Sequence, residues 1–188
     1  MGYENIPGWT CKNIEELYRE TAGKLTHGGT VVEVGVAYGR SLAYLAERAH
    51  HSLRIFGVDT WHEHMGGDNL PPDVFARQRS YGDALEACKA NLNEAGCLWR
   101  VELIREGSAQ AAAKFEDASC DLVFLDACHE YGAVRQDIAA WLPKVRKCGM
   151  LAGHDYSWTM FPGVIQAVEE AFGNVNREIR GVVWRVTV

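Results

Sequence analysis

The 188-residue chain has no apolar run long enough to span a bilayer. Its first residues, Met1-Gly-Tyr-Glu-Asn5, lack the apolar core of a signal peptide. A cytoplasmic location with no membrane partner is therefore expected. There is also no basic stripe: acidic and basic residues are interspersed and the net charge is −6, which disfavours binding to a nucleic-acid backbone. The six cysteines, at 11, 88, 97, 120, 128 and 148, form no Cys-x-x-Cys pair and no zinc-ligand spacing. Several lie in apolar segments, where cysteine behaves as a small buried hydrophobe, so reduced thiols are expected. No internal repeat or low-complexity tract appears. The length suits one domain with a full core, and 47% hydrophobic with 23% charged residues is ordinary for a globular protein.

What is present centres on Thr30-Val-Val-Glu-Val-Gly-Val-Ala-Tyr-Gly-Arg-Ser41. Thr30 to Val36 is short and β-branched, as in a buried parallel strand. From Gly39 the period changes, and Leu42, Leu45, Ala46 and Ala49 mark one face of a helix. A strand, a glycine turn and a helix start form the unit that holds an anionic cofactor end on free backbone N–H groups. Gly35 and Gly39 are expected to let the turn approach that ligand without a Cβ. Such turns also occur with no ligand at all.

Along the chain, residues 1–27 read as an arm and a helix, with Asn13 as cap and an end near Gly23; residues 28–188 read as the core of the same domain. A second strand, Leu53 to Val58, ends on Asp59. That acid lies 24 positions after Gly35, near the ~20-residue offset of a ribose-binding acid; the alternative is a strand-end cap. Thr60 to Asp73 is a long Gly/Pro-rich loop, which suits a lid, with Trp61 placed to pack beside a bound adenosine. Its His62-Glu63-His64 has metal-like spacing but no third placed ligand, which favours a solvated loop. A helix over Val74–Ala95 is broken near Gly82. Further strands are expected at Trp99–Ile104, Cys120–Leu125 and Met150–Gly153, with helices at Ala109–Phe115, Tyr131–Leu142 and Val164–Phe172. Asn176–Ile179 and Val182–Val188, split by Arg180-Gly181, predict a terminal antiparallel hairpin. The sum is an α/β fold, a doubly wound Rossmann-like sheet of seven strands, mostly parallel with a reversed strand in the C-terminal hairpin.

Ligands of such sheets bind outside the carboxyl ends of the strands. The polar residues there are Glu33, Asp59, Gly107-Ser108, Asp126 and His154-Asp155. Acids gathered at one edge are costly unless they meet cations or donors. Asp126 and Asp155 could supply two ligands to a hard divalent ion, and His154 a third, although imidazole suits zinc, iron or manganese better than magnesium. The alternative is that the acids cap the helices that follow. His129, in the same loop as Asp126, is suited to taking a proton from a hydroxyl, or it is an ordinary hydrogen-bonded loop histidine.

Glu33-Val-Gly-Val-Ala-Tyr-Gly-Arg-Ser41 resembles motif I of class I S-adenosylmethionine-dependent methyltransferases. Val58-Asp-Thr-Trp61, Asp121 to Tyr131, Lys147 to Tyr156 and Pro162 to Val168 continue the likeness in order. Together they resemble the TylF-like and cephalosporin-hydroxylase-like branch, the Methyltransferase 24 type. The resemblance implies S-adenosylmethionine as cofactor. Glu33, Gly35 and Ser41 match the methionine-end pocket, with Gly39 in the same turn, and Asp59 matches the ribose acid. Ser108 and Gln110 match the adenine-side loop. Asp126 is matched both to the cofactor and to the metal, since Asp126, His154 and Asp155 fall where metal-dependent members place magnesium ligands. His129 falls at the position of a general base, which makes His129 and Asp126 the expected catalytic pair. His154 departs from the usual acid, which puts magnesium itself in question. The expected partner is a small-molecule hydroxyl acceptor; a homo-oligomer is left open.

Three other functions fit parts of this pattern. One is a metal-independent methyltransferase with His129 acting alone. Another is a nicotinamide-dependent oxidoreductase, which the missing Gly-x-Gly-x-x-Gly disfavours. The third is a binding protein that keeps the pocket without turnover.

Overall fold

The computed structural model describes residues 2–62, 71–173 and 177–188. Its centre is a seven-stranded sheet of β1 (Gly29–Val34), β2 (Leu53–Asp59), β3 (Val101–Arg105), β4 (Cys120–Leu125), β5 (Val145–Gly153), β6 (Arg177–Arg180) and β7 (Val183–Thr187), in the order β3-β2-β1-β4-β5-β7-β6. The pairs β3/β2, β2/β1, β1/β4 and β4/β5 are parallel, whereas β7 runs antiparallel to both neighbours. The fold is the mostly parallel, Rossmann-like α/β sheet expected, and its strand order reverses between β1 and β4.

Both faces are covered, which is why the central strands are nearly continuous apolar runs. On one face α1 (Lys12–Lys24), α2 (Arg40–Arg48) and α4 (Ala84–Glu94) pack Leu17, Tyr18, Leu42, Leu45 and Leu92 against Val31, Ile55, Leu122 and Phe124. On the other, α5 (Ser108–Ala112), α6 (Tyr131–Trp141) and α7 (Pro162–Phe172) pack Ile138, Trp141, Val164 and Val168 against Val32, Val58, Val123 and Leu151. α3 (Pro72–Ser80) precedes α4, and the chain breaks between them at Gly82, as expected. No helix among the described residues is long and apolar enough to cross a membrane.

Several boundaries differ from the sequence reading. Cys11, not Asn13, is the N-cap of α1, because the Cys11 carbonyl accepts the Glu15 N–H at 3.0 Å. β1 stops at Val34, where Gly35 turns with φ 94° and donates to the Val58 carbonyl. β5 begins at Val145, not Met150; an irregular register opposite Cys120 and Leu122, with Cys148 at φ 62°, lets it resume.

The register positions the site. Val58, Val34, Leu125 and Gly153 lie in one row across β2, β1, β4 and β5. The next residue of each strand is Asp59, Gly35, Asp126 and His154. Backbone bonds carry the ladder one step further: Asp126 N–H donates to Val34 at 2.7 Å and His154 N–H to Leu125 at 3.1 Å.

Candidate functional site

Glu33 is 1% exposed although it lies inside β1. Its carboxyl accepts the Tyr18 hydroxyl at 2.5 Å and the Ser41 hydroxyl at 2.6 Å, tying β1 to α1 and α2. Burial pushes its pKa up to about 8, with Asp126 and Asp59 adding to the rise against these two bonds. Glu33 and Ser41, expected at the methionine end, are thus paired with each other beneath the turn.

The turn is built differently from the expectation. Asp59 Oδ2 accepts the N–H groups of Val36 at 2.9 Å and Ala37 at 3.0 Å, and Oδ1 accepts that of Trp61 at 2.8 Å. Gly39 N–H donates to the Val36 carbonyl at 2.9 Å. The N–H groups of Gly35, Val36, Ala37 and Gly39 are therefore engaged within the protein rather than free for an anion. The glycines also answer to the protein. A Cβ on Gly35 would collide with the Asp126 carbonyl and come within 2.8 Å of Ala127 Cα, while one on Gly39 would meet Cys88 Sγ and Leu92 Cγ at 3.1 Å. Neither absent Cβ points toward an open ligand space. Trp61 is buried and its indole N–H donates to the Ala37 carbonyl at 2.9 Å, bracing the same turn.

Of the residues expected on the adenine side, Ser108 opens α5 and its hydroxyl accepts the Trp141 indole N–H at 2.9 Å. Gln110 is exposed. Burial raises the pKa of Asp137, against a bond from Ser108. His62 is exposed; residues 63–70, which hold the middle of the expected lid and the rest of the His62-Glu63-His64 motif, lie outside the described residues, and the expected loop ends early because α3 begins at Pro72.

The three expected metal ligands converge. Asp126, His154 and Asp155 each offer a ligand atom, and these atoms lie within 4.8 Å of one another. His154 Nδ1 is 3.1 Å from Asp155 Oδ1 and 3.6 Å from Asp126 Oδ1. His129 Nε2 lies 2.7 Å from Asp155 Oδ2 and 3.9 Å from Asp126 Oδ1. That nitrogen is covered yet makes no well-directed hydrogen bond, so it stands beside the acids with its directional capacity unspent. The His129 ring packs on Phe161 at 4.4 Å between centroids.

Charge is tightly shared here. The Asp126 and Asp155 carboxylates push the His129 pKa up to about 9, outweighing burial, so it lies well above the ordinary value of 6.5. Burial opposes the charge on His154, but the same carboxylates and Cys11 hold its pKa far above the ordinary value. Asp155 is held below the usual carboxylate range by both histidines, despite burial. Two carboxylates and an imidazole within reach of one point are a donor set that fits a divalent ion. Bound cations would displace these protons, because an imidazole ligates only with a free lone pair.

Three loops at this edge carry non-glycine residues with positive φ: Ala37 at 48°, Trp61 at 46° and Asp155 at 58°. Such conformations cost energy and cluster where surrounding contacts over-determine them. Residues that the sequence reading passed over include Tyr18, Asp137, Phe161 and Cys11. Tyr18 sat in the apolar stripe of α1, where only its hydroxyl hinted at a buried partner. Cys11 Sγ lies 3.5 Å from His154 Nε2. Burial raises its thiol pKa, but His154 and the first-turn N–H groups of Ile14 and Asn13 lower it on balance.

Sheet order, reversed C-terminal strand and an acid-lined edge at the β1/β4 switch point define the class I S-adenosylmethionine-dependent methyltransferase fold. A methyltransferase-domain family model of the Methyltransferase 24 type matches residues 32–156, and the chain belongs to that family. Solved structures agree in fold at low identity. A Staphylococcus aureus protein named for caffeoyl-CoA O-methyltransferase is 12% identical with TM-score 0.68, over 98% of this chain and 87% of that one. A Klebsiella pneumoniae protein named as an O-methyltransferase is 16% identical with TM-score 0.67, over 97% and 84%. CalS11, a TDP-rhamnose 3'-O-methyltransferase of calicheamicin biosynthesis, is 18% identical with TM-score 0.61, over 93% and 76%. A curated relative, the uncharacterized protein y4gI of Sinorhizobium fredii, is 27% identical over 132 residues. That match covers 66% of this chain but only 13% of y4gI.

Proposed function

We propose that the protein transfers a methyl group from S-adenosylmethionine to a hydroxyl of a small molecule, assisted by a divalent ion held by Asp126, His154 and Asp155. The observation that carries this reading is the meeting of those three residues and His129 at the ends of β4 and β5, beside the motif I turn. S-adenosylmethionine supplies an electrophilic methyl for in-line displacement, and the ion supplies a Lewis acid that acidifies the hydroxyl. The chain's own residues do the rest. Gly35, Gly39 and Ser41, with Glu33 beneath them, shape the methionine end. Asp59 holds the turn and presents the one lone pair left on Oδ1 to the ribose. Trp61, Ser108 and Gln110 form the adenine side. Asp126 and Asp155 fix the acceptor, and His129 Nε2, deprotonated once the ion neutralises those carboxylates, would take its proton.

The hydroxyl acceptor is also supported by the activities for which the caffeoyl-CoA and TDP-rhamnose enzymes are named. Trp158 and Met160 are exposed within a few residues of Asp155, giving the acceptor side apolar surface. A second reading, with His129 acting without any ion, is favoured by its close pairing with Asp155. Calorimetry with S-adenosylmethionine, followed by product assays on phenol and sugar hydroxyls with manganese, magnesium or chelator, tests both. Full turnover in chelator favours the second reading, and no cofactor binding removes both.

A further inference from the structure

We propose that Cys11 is a positioning residue for the Asp126/His154/Asp155 site: its sulfur accepts the Nε2–H of His154 and fixes the tautomer that turns Nδ1 to the two carboxylates. The proposal rests on the metal-assisted reading above.

An imidazole has two nitrogens, and the proton on one decides what the other can do. In His154 they face different groups. Nδ1 looks to Asp155 at 3.1 Å and Asp126 at 3.6 Å, whereas Nε2 meets Cys11 Sγ at 3.5 Å, within reach of a hydrogen bond to sulfur. To ligate an ion beside the carboxylates, Nδ1 must be bare, so the ring proton must sit on Nε2. A half-buried N–H then needs an acceptor. Metal-bound histidines ordinarily give that N–H to a carboxylate, a carbonyl or water. Among the described hydrogen bonds of His154, sulfur fills this place.

Cys11 is held where it must be. As N-cap of α1 its carbonyl is bonded to Glu15. The arm before it is pinned by buried Ile6, by Arg40 donating to the Gly8 carbonyl at 3.2 Å, and by Tyr3 N–H donating to Glu47 at 2.9 Å. Cys11 is not among the converging ligand atoms, since it approaches the ring from the nitrogen opposite the carboxylates. A contact spanning 143 positions thus makes the arm part of the site's support.

The test uses the full chain, cobalt(II) as probe, calorimetry and absorption spectroscopy. Cys11→Ala should weaken cobalt binding by roughly 10–100-fold, the usual effect of losing a partner of a ligating histidine. Cys11→Ser, which restores an acceptor, should recover most of that affinity. In a His154→Ala background, Cys11→Ala should change nothing further. S-adenosylmethionine affinity and the thermal midpoint should stay constant throughout. Wild-type cobalt affinity in Cys11→Ala would overturn the proposal and leave the metal reading intact. A thiolate-to-cobalt charge-transfer band lost in Cys11→Ala would make Cys11 a ligand and overturn it differently. A parallel fall in stability and cofactor affinity would reduce Cys11 to a helix cap. If the wild-type protein binds no cobalt, the metal reading fails and takes this proposal with it.

Discussion

His129 and Glu33 carry opposite predictions, one for rate and one for stability. General-base assistance is typically worth ~10²–10⁴-fold, so His129→Ala should lose that much in rate with cofactor affinity nearly unchanged. His129→Gln keeping full activity would reduce the imidazole to a loop support. Glu33 is expected to govern stability instead. Its folded pKa, about 8, lies above its ordinary value of 4.5. The unfolded chain therefore releases this proton first, and its stabilising contribution, complete below 4.5, is lost as pH climbs through 8. Glu33→Gln has no proton to lose. Urea unfolding should show the variant gaining on the wild type across that window, by at most ~1.4 kcal/mol per pH unit. A constant difference would mean that Glu33 is ionised in the folded protein.

At the level of elements, the buried strands were the most legible. Cys120 to Leu125 is an apolar run closed by an acid, and the structure has the same boundaries for β4. The break at Gly82 and the terminal hairpin were equally visible, because glycine and turn chemistry act locally. What side chains do across the chain was not visible. Periodicity reports that Tyr18 is inward, but not that it meets Glu33; it places His154 at a strand end, but not against Cys11. The part Gly35 plays in packing was hidden for the same reason: a Cβ there would meet the Asp126 backbone just past β4. Gly35→Ala should accordingly destabilise the protein by about 1–3 kcal/mol from overpacking, with roughly 1–2 kcal/mol more for the left-handed backbone. Denaturant unfolding checks this. Unchanged stability with lost cofactor affinity would assign the missing Cβ to ligand approach instead.

Over the whole molecule, the sheet gathers residues as far apart in sequence as Glu33, Asp59, Asp126 and Asp155 at one edge, so a ligand there should stabilise the fold it bridges. At a hundredfold excess over its dissociation constant, S-adenosylmethionine should add ~2.7 kcal/mol. For a domain of this size each kcal/mol raises the melting midpoint by ~2–4 °C, giving a shift of roughly 5–11 °C. No shift at saturating cofactor would argue that the edge does not bind it. The tryptophans offer a way to watch this without labels. Trp61 braces the motif I turn through the Ala37 carbonyl, and Trp141 braces the start of α5 through Ser108. Trp9, Trp99 and Trp158 are exposed and should emit as solvated indoles, so the protected emission is expected from few residues. A cofactor settling between the two turns would disturb two of those indoles at once. The protein therefore carries an optical reporter in its own scaffold, and stopped-flow emission with Trp61→Phe and Trp141→Phe would time the arrival of the adenosine at each of the two turns.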